Sequence, residues 1–326
     1  MIVMRVAVLF VVAASVAVLL TFTPGFAAAP SAPVLLQLKG QAGDQARYRT
    51  DFDFGLDVEV NDPSSGVSVT VKPRLTGWLT STAKTTAVSP TGDLTMRGRV
   101  EAFDLKLDLA NLHLRATVDP AVGRAQLVRL PDLPISAVLS PRGKLMALEG
   151  LDKLPIPPLP GPGGQKINLA QMVSKLVGEF SQPVLPEKPV APGDTWKTSA
   201  SFDMAAMLKN MGLPAPDVAA KQMEQLKVPV TTTYIFAGYE TVDGVEAAVI
   251  RGEAPWKLEL PMGSPEAPMG TLTEVGNTTL TMLLVPSTGK VVVETTDITL
   301  EMSVKGQAAS PVRMTMTGKV TKKLVK

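Results

Sequence analysis

The chain has no cysteine in its 326 residues, a single histidine, and only 5% aromatic residues. Without cysteine there are no disulfides, no thiolate metal sites and no cysteine nucleophile, and one histidine rules out multi-histidine zinc centres. The interior must hold together by apolar packing alone. A chain this long can do so, since domains of a few hundred residues bury about three quarters of their unfolded surface. An excess of one charge is missing too: 32 basic residues stand against 30 acidic ones. The basic residues are scattered except at the C-terminus, Lys319 to Lys326, where no aromatic is interleaved. That stretch reads as a solvated end, and no nucleic-acid partner is expected.

Long hydrophobic runs are also lacking, with one exception. After Met1 to Arg5 comes a run without charge, Val6 to Phe22, and then Thr23-Pro24-Gly25-Phe26-Ala27. A basic start, an apolar stretch, a Pro-Gly helix break and small residues are the parts of a secretory signal. Residues 1–27 are therefore expected to be a signal peptide cleaved after Ala27, with Gly25 and Ala27 as the two small recognition residues. A lipoprotein anchor needs a cysteine and is excluded. The run is near the lower length limit for crossing a bilayer, so the alternative is an uncleaved N-terminal anchor, and membrane contact is expected only through it. Either way the body is expected outside the cytoplasm, periplasmic or secreted.

What the chain does have is alternation. Leu94, Met96, Val100 and Ala102 alternate with polar residues, and the phase then flips to Phe103, Leu105, Leu107 and Leu109. A flip within one strand implies a bulge or bend. Ile298, Leu300, Met302 and Val304 alternate as well, as do Val312, Met314 and Met316. Turn signals separate such runs, including Val242-Asp243-Gly244-Val245, a strong hairpin signature. The expected fold class is mainly β with a few helices: two antiparallel curved-sheet or half-barrel modules, 34–152 and 186–326. A Pro/Gly-rich linker with a short helix, 153–185, joins them. Helical spacing of apolar residues predicts that helix over Ile167 to Phe180 and a helical insertion over 202–226.

Two short motifs recur in the same order. Ala191-Pro192-Gly193-Asp194 opens a strand at Trp196, as Gln41-Ala42-Gly43-Asp44 opens one at Tyr48. Pro141-Arg142-Gly143-Lys144 resembles Pro286-Ser287-Thr288-Gly289-Lys290. The Pro-Gly pair fits the centre of a type II turn, and the recurrence points to an internal duplication. The blocks "PVLPEKPVAPGDTW", "LQLKGQAGDQARY" and "LVPSTGKVV" also resemble a broad group of secreted bacterial proteins classed as a domain of unknown function. That resemblance implies a secreted, β-rich protein and no known activity. In architecture the chain also resembles the half-barrel lipid carriers of bacterial envelopes.

No catalytic constellation emerges, and no enzyme, metal or cofactor is expected. His113 lies on an alternating strand, and Gly-x-Ser-x-Gly is absent. Ser81 to Lys84 and Ser287 to Lys290 match Ser-x-x-Lys, but in strand or turn sequence, whereas penicillin-recognising enzymes need the motif on a helix. The acidic group Asp51, Asp53, Asp57, Glu59 and Asp62 lacks calcium-loop spacing and alternates with Phe52 and Phe54 as a solvated strand face does. One feature remains, a methionine cluster. Met204, Met207, Leu208, Met211, Met223 and Leu226 are expected to line a groove between sheet and helices that holds a lipid or other apolar small molecule, since methionine repacks around apolar partners of varied shape. The alternatives are methionine as core filler, and an envelope structural or adaptor protein that binds another protein along a sheet edge.

Overall fold

The computed structural model describes residues 32–62, 67–109, 112–118, 135–150, 159–160, 166–167, 184–203, 227–264, 267–305 and 312–325. Their strands are β1 (Gln45–Asp62), β2 (Val67–Val71), β3 (Arg74–Val88), β4 (Leu94–Leu109), β5 (Leu112–Val118), β6 (Ile135–Leu139), β7 (Leu145–Glu149), β8 (Leu159–Pro160), β9 (Lys166–Ile167), β10 (Thr195–Asp203), β11 (Lys227–Val242), β12 (Val245–Ser264), β13 (Ala267–Val285), β14 (Lys290–Lys305) and β15 (Val312–Val325). Thirteen form one antiparallel sheet in the order β10-β11-β12-β13-β14-β15-β1-β3-β4-β6-β7, with β2 on β1 and β5 on β4. The β-rich expectation holds.

Two expectations change. The strands of the two expected modules form one continuous sheet, because β1 pairs with β15 from Arg47↔Val325 to Val60↔Val312. Alternation shows that a strand has an apolar face but not which strand it will pair with. Within the expected linker, Leu159 and Pro160 pair with Ile167 and Lys166 in a two-residue ladder. No helix occurs among the described residues. Most of both helical stretches falls outside them, but Ile167, Phe202 and Asp203 are strand.

The turns form where the sequence places them. Asp243 and Gly244 have φ of 51° and 80°, positive at both central positions as a tight hairpin requires. The two Gly-Asp entrances are built alike. Gly43 and Gly193 have φ of 100° and 95°, which glycine adopts without penalty. The Asp44 amide donates to the Gln41 carbonyl, and the Asp194 amide to that of Ala191, each at 3.0 Å. The carboxylates of Asp44 and Asp194 accept in return from the Gln41 and Ala191 amides at 2.7 and 2.8 Å.

The expected phase flip in β4 is a bulge. Ser81 pairs with Val100 and Thr80 with Ala102, so Glu101 is the extra residue. Below it the inward set is Leu94, Met96, Gly98 and Val100; above it Phe103 is inward, with Ala102 turned to the outer face. Glu101 points outward and accepts hydrogen bonds from the Thr82 hydroxyl and the Arg47 guanidinium. Partial burial pushes its carboxyl up, but these bonds outweigh that and hold it below the usual carboxylate range.

Register separates the two faces. One row runs across β11, β12, β13, β14, β15, β1, β3 and β4 as Phe236, Ile250, Met282, Glu294, Lys322, Thr50, Leu79 and Phe103. On the opposite face a row from β10 to β4 reads Lys197, Thr233, Glu253, Thr279, Asp297, Lys319, Asp53, Thr76 and Lys106, without one apolar residue. The core lies on the first face, at the end where β1, β10, β12 and β14 begin. It joins Leu94, Met96, Leu139 and Leu145 from one arm of the sheet to Phe236, Ile250, Met282 and Leu284 from the other, so the sheet must curl until its arms meet. Two extended segments floor this end. Val34 and Val190 exchange backbone hydrogen bonds at 2.9 Å, the Leu38 amide donates to Pro141, and that of Leu185 to Arg142. Leu36, Leu38, Leu185 and Val190 pack into the core.

Aromatic rings fill the inner face over glycines of neighbouring strands. Trp256 lies on Gly276, where any Cβ would overlap the indole ring. Gly276→Ala is expected to cost about 1–3 kcal/mol by overpacking and to displace the indole. Urea melts followed by tryptophan fluorescence will show a lowered midpoint; an unchanged midpoint contradicts this packing.

Candidate functional site

The residues the sequence marks for chemistry are kept apart by the sheet. Met204, Met207, Leu208, Met211, Met223 and Leu226 lie outside the described residues; their segment joins β10 to β11, whose last pair is Asp203↔Lys227. Ser81 and Lys84 are three apart on one strand, hence on opposite faces: Ser81 is buried and Lys84 exposed. Ser287 sits exposed in the β13–β14 turn. His113 is the register partner of Asp108. Asp51, Asp53 and Asp57 project outward, and each has its own cation: Arg49 at 3.0 Å, Arg74 at 2.6 Å and Lys72 at 3.2 Å. The hydrogen bond from Arg74 holds the Asp53 carboxyl below its ordinary value.

Sequence reasoning missed the charge at the centre of the inward row. Lys322 is 4% exposed, the one buried charged residue among those described. An ammonium there costs several kcal/mol unless compensated. Glu294 stands opposite it in register on β14, and the ammonium lies 4.4 Å from the centroid of the Tyr48 ring. Burial pushes Lys322 down to about 8, against the pull of Glu294. Thr50, its partner on β1, is 0% exposed, and its Oγ1 has no hydrogen-bond partner among the described residues. Further round the curve, Tyr234 bonds Thr198 and Thr232 and stacks on Trp196 at 5.6 Å, and burial raises its phenol. Alternation carried the missed signal: Lys322 has the parity of Met314, Met316 and Val320, while Lys319 and Lys323 project outward to solvent as expected.

Beyond this polar floor the inner face is filled along β1 and β12, where Phe52, Phe54, Leu56, Ala254 and Leu258 are buried, but turns apolar and part-exposed along β14 and β15. Val320, Ile298, Leu300, Met316, Met302 and Met314 line β14 and β15, all part-exposed. The sheet also splits here. Above Thr233↔Glu253, β11 continues with β10 while β12 continues with β13, as far as Ser264↔Ala267. The β12 side of the split carries Pro255 and Pro261, which lack the N–H an inner strand needs. Together these elements form a curved apolar wall with a slot beside it and a buried lysine at its foot.

No family model and no curated protein matches the chain. Among solved structures it is similar to OccK7 (OpdD) of Pseudomonas aeruginosa, with 9% identity over 86% of this chain and 99% of that one and a TM-score of 0.25. An outer membrane channel of Pseudomonas putida F1 gives 7% identity, 92% and 100% coverage, and a TM-score of 0.24. A BenF-like porin of Pseudomonas fluorescens Pf-5 gives 8%, 87% and 100%, and 0.27. At such TM-scores the likeness does not establish a common architecture. The faces differ in kind as well: a barrel that crosses a bilayer turns an apolar band outward, and the outward row here is charged and threonine-rich.

The shifted lysine gives a pH signature. With a folded value near 8 and an unfolded value near 10.4, the unfolded chain binds more protons between them, so stability rises as pH increases from about 8 to 10. The gain is on the order of 3 kcal/mol at most. Urea unfolding at pH 7.5 and 10 is expected to show it in the wild type and not in Lys322→Met; an equal pH response in both contradicts a buried ammonium.

Proposed function

We propose that the protein is an exported, non-enzymatic carrier that holds an acyl chain along the inner wall of β14 and β15. One observation carries this reading: beyond Lys322 the inner faces of β14 and β15 carry Ile298, Leu300, Met302, Met314, Met316 and Val320, all part-exposed, while their outer faces are polar. A soluble sheet normally fills or covers such a face, and a long concave apolar strip suits a flexible hydrocarbon. Met302, Met314 and Met316 give the wall the adaptability the sequence reading assigned to the 204–226 segment. The signal-like N-terminus supports an extracytoplasmic location.

The finer architecture proposed is a curved half-barrel that arose by duplication. The Gly-Asp entrances match bond for bond, and β1, β3, β4, β6 and β7 follow one another in the sheet as β10, β11, β12, β13 and β14 do. The outer edge of β10 is free of a partner strand in the described sheet and supports the second reading, a protein partner that adds a strand there.

Native mass spectrometry of the exported protein, followed by organic extraction, is expected to find a co-purifying acyl compound. Leu300→Asp and Met316→Asp, cross-strand neighbours on the wall, should each weaken binding of an apolar dye by about tenfold or more, because they put a carboxylate against the chain. Dye binding that is unchanged in both folded variants contradicts the reading.

A further inference from the structure

We propose that the floor of the wall is a head-group site: Lys322 and Thr50 bind the carboxylate of a fatty-acid-like amphiphile whose chain lies along the wall. This rests on the acyl-chain reading above and names the ligand class. Lys322 is the one buried charged residue among those described, and its partner Glu294 is only half-buried, so the deepest charge in the concave face is positive. An ammonium has three N–H donors and can serve more than one acceptor, and Lys322 lies beside the Tyr48 ring and opposite Glu294. Thr50 Oγ1 supplies the second contact. It is fully buried, it lacks a hydrogen-bond partner among the described residues, and it shares both face and register with Lys322. A carboxylate at this point accepts from the ammonium with one oxygen and from the threonine hydroxyl with the other.

The position fits the geometry of an amphiphile. The next inward pair toward the wall is Thr296↔Val320, both part-exposed, followed by Ile298 and Leu300 on β14. Polar recognition thus gives way to hydrocarbon contact within one step along the strands. A row so apolar at both ends, from Phe236 to Phe103, would be more simply completed by apolar residues. A charge pair at its centre gives up packing for recognition.

Binding of dodecanoate and dodecanol to the full chain, measured by calorimetry at pH 7, separates head group from chain. The acid is expected to bind about tenfold or more tightly than the alcohol. Lys322→Met should remove that preference, and Thr50→Val should reduce it less. A second measurement needs no variant: raising the pH from 7 to 9.5 discharges Lys322 but not the ligand, so dodecanoate affinity should fall and dodecanol affinity should not. If both ligands bind with no head-group preference, the inference fails alone. If neither binds, the acyl-chain reading fails with it.

Discussion

Everything in this structure depends on the antiparallel ladder between β1 and β15, which joins residues from opposite ends of the chain. It makes one sheet out of two sets of strands, and it holds the site at its centre. Thr50 and Lys322 are partners in it, as are Phe54 and Gly318, and Asp53 and Lys319 on the other face. The polar floor therefore exists only once the chain has closed on itself. Contacts this distant in sequence are slow to form, because the loop-closure entropy is spent before the ladder returns anything. Floor segments 32–42 and 184–194, tied by the Val34–Val190 bridge, hold the same end shut from below.

The two faces of the sheet follow different rules. Outward, threonines and charges of both signs alternate across strands, and pairs such as Lys319–Asp297 at 3.5 Å are exposed and each worth little. Inward, apolar side chains and rings packed over glycines supply the stability, and Lys322, Glu294 and Thr50 stand in one row with Tyr48 and Tyr234 in the adjoining rows on either side. Lys322, Glu294, Thr50, Tyr48 and Tyr234 thus stand apart from both patterns: too buried for the surface and too polar for the core. Such local conflict with the surrounding pattern is where function is expected to lie.

Much of this was legible in the sequence. The Asp243-Gly244 hairpin, the Gly-Asp entrances and the β4 bulge each depend on a residue or two in local contact, and each formed where expected. Solvation of Asp51 and Asp53 followed from their alternation with Phe52 and Phe54. What could not be read was partnership. Any amphipathic strand offers the same edge to every other, so the β1–β15 ladder has no local signature. Lys322 was hidden by composition: among Lys319, Lys323 and Lys326 it looks like one more solvated charge, and only its parity with Val320 and Met316 turns it inward. The methionines that stand out in the sequence, Met204 to Met223, lie outside the described residues, while those on the wall, Met302, Met314 and Met316, carry only a strand signal.

The ladder itself can be tested in the intact protein, because the chain has no cysteine of its own. Directly opposed residues in an antiparallel pair have Cα atoms within disulfide range. Asp53→Cys with Lys319→Cys, in register, is predicted to form an intramolecular disulfide on mild oxidation, seen as a 2 Da mass loss. Asp53→Cys with Lys323→Cys, on the same face but out of register, is predicted to leave both thiols free. Cross-linking of the second pair, or failure of the first in a folded protein, would contradict the account at its root.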